Sequence, residues 1–248
     1  MSNIVGFASD NCATMMGVNS GFQARLKEDV PGVFILGCVC HSFALCANHA
    51  SNHLPSWLEA FVKDVCCYFS RSSKRQHQFS LIQDVVNAPH HKITKLSQTR
   101  WLSRGQVLKR IIEQWGALEL FFLPEAKSNN IDGASKIYDR MTYVGTKHML
   151  LFLSYIIAKV DRLNVEFQAE TFKLHTLYKS VADEYRIILA MFVKDDIIQT
   201  VPISDIDPSD PRVHMPIKDV HVGGRCQTML VKKPLHQQDV RFRTAETF

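Results

Sequence analysis

Two uninterrupted apolar runs near the N-terminus constrain the fold more than any other feature of this chain. Residues 3–9 (NIVGFAS) run straight into Asp10, and residues 33–39 (VFILGCV) span Cys38 and lead to His41. Neither alternates apolar with polar, which is the pattern of strands buried on both faces of a parallel sheet. Each is followed by a helix-compatible segment. The first covers 12 to about 29, with Phe22 and Leu26 four apart and Lys27 near its end, and the second covers 41–52. Pro31-Gly32 supplies the turn between them. Strand–helix–strand–helix is the order of parallel α/β architecture. Both strands read as central, so the pattern predicts a partial sheet, a fragment of a larger core whose other strands this chain lacks.

Beyond Pro55 the strand signal ends. Ser56 and Glu59 form an S-x-x-E pattern suited to a capping box. Trp57, Phe61, Val65, Tyr68 and Phe69 then mark one helical face, and Val107, Ile111, Trp115, Leu118 and Phe122 mark another, broken by Asn129-Asn130 and Gly133. Two or three more helices are predicted over 135–197. The stretch MLLFLSYIIA at 149–158 is far short of the ~20 residues that span a bilayer and reads as a buried helix. After Val201 come five prolines and Gly223-Gly224, which predict loops. The expected division is 1–52 for the partial α/β core, 53–200 for a helical domain and 201–248 for a loop-rich tail.

The chain is 46% hydrophobic and 21% charged, ordinary for a packed soluble protein. Seven cysteines without an even framework read as reduced thiols of a cytosolic or nuclear protein. The first residues carry neither the basic lead nor the apolar segment of a secretory signal. Charge is unevenly placed. Residues 71–110 hold nine Lys and Arg against Asp84 alone, Lys74, Arg75, Arg100 and Arg104 among them, while the whole chain is only +5. A block of one sign creates a field suited to phosphate; the bland alternative is a solvated basic face without a partner. The stretch TRWLSR (99–104) places Trp101 between Arg100 and Arg104. Indole offers a stacking face for an unpaired base and guanidinium grips phosphate, although a core tryptophan anchoring the next helix is an equal reading. Two adjacent histidines, His90-His91, follow Pro89 with no acid beside them in sequence and read as a loop feature.

The ordered stretches IVGFASDNCATMMG, VFILGCVCHSFALC and TRWLSR together resemble the hAT superfamily of cut-and-paste DNA transposases and the proteins domesticated from them. The resemblance implies an RNase H-like core interrupted by a mostly helical insertion, here present in part. It implies that Asp10, at the end of the first strand, descends from a catalytic acid that binds Mg²⁺ in the intact family; two metal ions there activate the nucleophile and stabilise the leaving oxygen. The alternative role of Asp10 is a helix N-cap. The family set needs a second Asp and a distant Glu, neither recognisable here, so strand cleavage by this chain alone is not expected and no cofactor is expected in it. Cys38 and His41 match the family's C-x-x-H motif. With Cys46 and His49 they also suggest zinc, but on one helix residues 41 and 46 lie about 140° apart, a poor grip for one tetrahedral ion. The resemblance implies DNA as the partner, held mainly by its backbone, and the nucleus as the location. The rival reading is a protein-interaction module of a nuclear regulator, with another protein or a second copy as partner. No membrane partner is expected.

Overall fold

The structure is a computed structural model that describes residues 3–94, 101–127, 132–168 and 173–232. It is helix-dominated, with one small parallel sheet. β1 (Gly6–Ser9) pairs with β2 (Phe34–Gly37), Gly6 opposite Phe34 and Ser9 opposite Gly37. Between them the expected single helix is two: α1 (Ala13–Met16) and α2 (Phe22–Asp29). Gly-Val-Asn-Ser-Gly at 17–21 combines poor helix formers and breaks the segment. Leu26 is buried as the periodicity predicts, but Phe22 leans on Phe7 with ring centroids 5.0 Å apart and stays half exposed. Gln23 is buried instead, its amide donating to the Met16 carbonyl.

After β2 comes α3 (Val39–Ser51), then α4 (Ser56–Ser70). The capping box does not form, because Pro55 takes the N-cap position and makes Ser56 the first helical residue, with no side-chain cap. α4 buries Leu58, Phe61, Val62, Val65, Cys66, Tyr68 and Phe69. Full burial of such side chains stabilises by roughly 1.5–3 kcal/mol each. α5 (Ser73–Val85) is capped by Ser72, which accepts from the Arg75 amide at 3.3 Å. The second predicted stripe is also two helices, α6 (Trp101–Glu113) and α7 (Trp115–Lys127), separated at Gln114. α8 (Asp132–Thr142) and the 24-residue α9 (Val144–Phe167) follow, the latter taking in the whole MLLFLSYIIA run. α10 (Leu177–Leu189) and α11 (Asp195–Thr200) follow, so among the described residues four helices stand where two or three are predicted.

Helices α4 to α9 share one continuous core. Its densest part is aromatic: Phe69 lies 4.9 Å from Phe79 and 5.1 Å from Phe121, and Tyr68 lies 5.0 Å from Phe122. The described part of the expected loop-rich tail belongs to the packed molecule. Ile206 joins Leu189 and Val193 in a second, smaller core, and α12 (Gly224–Lys232) lies on α9 with Cys226 buried. Gly223 permits this return. Its φ is +86°, and a Cβ there would sit 2.7 Å from the Tyr155 ring. The small sheet joins the body through α3, whose Cys40 thiol donates to the Asn164 carbonyl at 3.7 Å and whose Phe43 packs on Phe167 of α9. All seven cysteines are free thiols. Among the described residues no helix is long and apolar enough to cross a membrane.

Candidate nucleic-acid interface

Asp10 directly follows β1 and is exposed at the carboxyl end of the sheet, the edge where α/β sheets place ligands. It does not cap α1, because Cys12 holds the N-cap position. Instead the Cys12 amide donates to Asp10 Oδ1 at 3.4 Å. The Cys12 thiol first, then this amide, hold the carboxyl below its usual range, with a smaller contribution from His41. Cys38 is the N-cap of α3 and His41 lies in its first turn, so the strand–helix junction brings the C-x-x-H pair to the same end of the sheet as Asp10. Asn11 closes the gap: its Nδ2 donates to Ser42 Oγ at 3.0 Å and to the Cys38 carbonyl at 3.4 Å.

Magnesium demands several hard oxygen ligands. Around Asp10 stand a thiol, an imidazole, an amide and a hydroxyl, and among the described residues no group of His, Cys, Asp or Glu is arranged to hold a metal ion. The residues present do not fit magnesium.

The basic block divides by location. Arg71 follows α4 as its C-cap, Lys74 stands in the first turn of α5 and Lys92 lies in the loop after α5; all three are exposed. Arg75 is turned inward. Its guanidinium lies 3.9 Å from the centre of the Tyr68 ring, and Nη1 donates to the Tyr68 carbonyl at 3.1 Å. Burial and a 2.7 Å hydrogen bond to Glu125 push the Tyr68 hydroxyl above its ordinary pKa. Lys109 and Arg110 pair with Glu113, at 4.0 and 3.7 Å. Arg100 lies outside the described residues. Trp101 and Arg104 occupy the first turn of α6.

His90 and His91 each meet an acid that sequence adjacency conceals. His90 Nε2 is 2.6 Å from Asp84 Oδ1, and His91 Nδ1 is 3.5 Å from Glu113 Oε2. The loop carrying them is clamped by glutamines that sequence reasoning passed over. Gln76 donates to the Ile93 carbonyl at 2.8 Å and Gln83 to the His91 carbonyl at 3.0 Å. Gln114 donates to the Pro89 carbonyl at 2.9 Å and accepts from Gln83 at 2.9 Å. Ile93, 2% exposed, pins the loop to the core. Lys92 is thereby presented on a fixed loop. The only visible signal for the clamp is the interruption of an apolar stripe by Gln114.

A helical body with a small parallel α/β unit docked on its longest helix defines a helical-domain protein. The chain belongs to the FAM200/GTF2IRD2-like family: the model of the FAM200/GTF2IRD2 helical domain matches residues 37–195, from the end of β2 to the start of α11. That family is related to domesticated hAT-like transposases. No solved structure matches the chain.

Proposed function

We propose that this is a transposase-derived nuclear protein that holds nucleic acid by its backbone and does not by itself cut or join strands. The observation that carries the reading is the exposed set Arg71, Lys74 and Lys92, offered from a helix end, a helix start and a clamped loop. Family membership and the hAT resemblance support transposase descent. On that descent β1, β2 and α3 are part of an RNase H-like core, and Asp10 descends from one of its catalytic acids. Trp101 and Arg104 extend the contact from the start of α6, with Arg100 just before it. Lys74 binds directly, whereas Arg75, committed to Tyr68, acts by holding α5 against α4. With most contacts to phosphate, sequence discrimination is weak.

The test is fluorescence anisotropy with a 20-base-pair duplex between 50 and 200 mM salt. Each neutralised phosphate contributes about −0.9 to the slope of log affinity against log salt. Arg71→Gln, Lys74→Gln and Lys92→Gln together are expected to flatten that slope by about 2 to 3 and weaken binding of several unrelated duplexes equally. An absence of salt-dependent binding in the unaltered chain would discard the reading in favour of a protein-interaction module, which the groove described next favours.

A further inference from the structure

We propose that the groove between α4 and α8 is a docking site for a short acidic peptide, one apolar side chain filling the floor and an adjoining carboxylate meeting Arg140. The inference is independent of the nucleic-acid reading. The groove encloses about 350 Å³, within the range of small-ligand pockets. Trp57, Phe61 and Ile137 form its floor; Asp64, Lys136 and Arg140 form its rim. Lys136 Nζ lies 3.3 Å from Asp64 Oδ2, so these two charges answer each other. Arg140 has no such partner. Its guanidinium lies 4.9 Å from the centre of the Trp57 ring, and among the described residues it makes no ion pair. Tyr143 meets Trp57 edge-on at 5.9 Å and fixes the indole from another side.

A preorganised guanidinium beside an apolar floor of which Trp57 is the partly exposed member is complementary to a carboxylate next to an apolar side chain. The same arrangement disfavours nucleic acid. The guanidinium already covers a face of Trp57 that a base would need. Along α4, Trp57 lies roughly 20 Å and Asp64 roughly 10 Å from Arg71 at 1.5 Å per residue, so the groove and the basic surface are separate sites.

The experiment uses the full chain and a fluorescein-labelled ten-residue peptide carrying one Leu followed by two Glu in a Ser/Gly background. Its controls replace Leu by Ser or both Glu by Lys. The Leu-Glu peptide is expected to bind saturably and each control at least about tenfold more weakly, the size of losing one charge-assisted bond or one buried side chain. Arg140→Gln is expected to weaken binding about tenfold, Arg140→Lys less, and Ala60→Trp, which fills the groove, to abolish it. Circular dichroism confirms that each variant folds; where one does not, the peptide series on the unaltered chain decides. The Arg71, Lys74 and Lys92 triple variant should keep full peptide affinity. Non-saturable binding, equal binding of the three peptides, or unchanged binding in folded Arg140→Gln and Ala60→Trp would overturn the proposal. Displacement of the peptide by an equimolar 20-base-pair duplex would reassign the groove to nucleic acid.

Discussion

The helical body and the small α/β unit before it are built from equally apolar sequence, yet only one of them closes a core. Every buried side chain of the main cluster lies at or beyond Leu58. In the unit before α4, Leu26, Val33 and Gln23 are buried, while Val5 is 84% exposed and Phe34 55% exposed. The difference is topological. Helices in sequence neighbour one another and bury their stripes locally, whereas a parallel sheet hides its faces only when further strands and crossover helices cover it. An apolar run reports what a segment needs, and the surrounding elements decide whether it is met. This contrast also separates the two candidate surfaces. The groove and the clamped loop rest on the closed core, while Asp10, Cys38 and His41 rest on the open unit.

Removing one aromatic ring from each region should separate the two most strongly. Phe69→Ala empties a fully buried site among four aromatic neighbours and is expected to cost about 3–5 kcal/mol. Phe34→Ala, in a strand but half exposed, should cost under about 1 kcal/mol. Urea titrations followed by circular dichroism decide it; equal losses would mean that the two regions share one core after all. A smaller effect sharpens the picture of the body. Gln114→Ala removes the donor to Pro89 and leaves the buried Gln83 amide short of an acceptor, at about 1–3 kcal/mol. It should also speed amide hydrogen exchange in residues 87–93. Unchanged exchange there would show that the core packing of Ile93 holds the loop without the clamp.

These contrasts mark what the sequence could and could not disclose. Both strands were legible as apolar runs, and the stripe of α4 was legible as spacing, because both are local patterns. The split at Gln114 was not, since the side chain that interrupts the stripe is recruited by a loop 25 residues earlier. The acids facing His90 and His91 were hidden for the same reason: Asp84 and Glu113 arrive through space. The capping box failed because Pro55 fixed where α4 begins, one residue before the serine assigned to that task. The helix α12 was obscured by the prolines and glycines around it, which bend the chain back onto α9 instead of releasing it. At the sheet mouth the sequence correctly places Asp10 after the strand, but its hydrogen bond to the Cys12 amide in place of a helix cap depends on backbone geometry no pattern specifies.

The smallest expected effect tests how well the body closes where the α/β unit meets it. Asp161 stands on α9 against Gly105 of α6, three residues before Asn164, which receives the Cys40 thiol of α3. Burial pushes its carboxyl up to about 6, above the roughly 3.9 of an unfolded chain. The native state therefore binds the proton more tightly than the unfolded state. Stability is fully supported below about pH 4, declines as the pH rises from about 4 to about 6, and stays at the lower level above. Asp161→Asn should remove this decline and be more stable than the parent at pH 7 by about 1 kcal/mol, the value being reduced because the group is only partly buried. At pH 4 the two should be nearly equal. Urea midpoints of both chains at pH 4, 5, 6 and 7 provide the comparison, with other carboxylates cancelling in the difference. A constant difference across the series would mean that water reaches Asp161 freely and that the seam beneath the α/β unit is open, as the unit itself is.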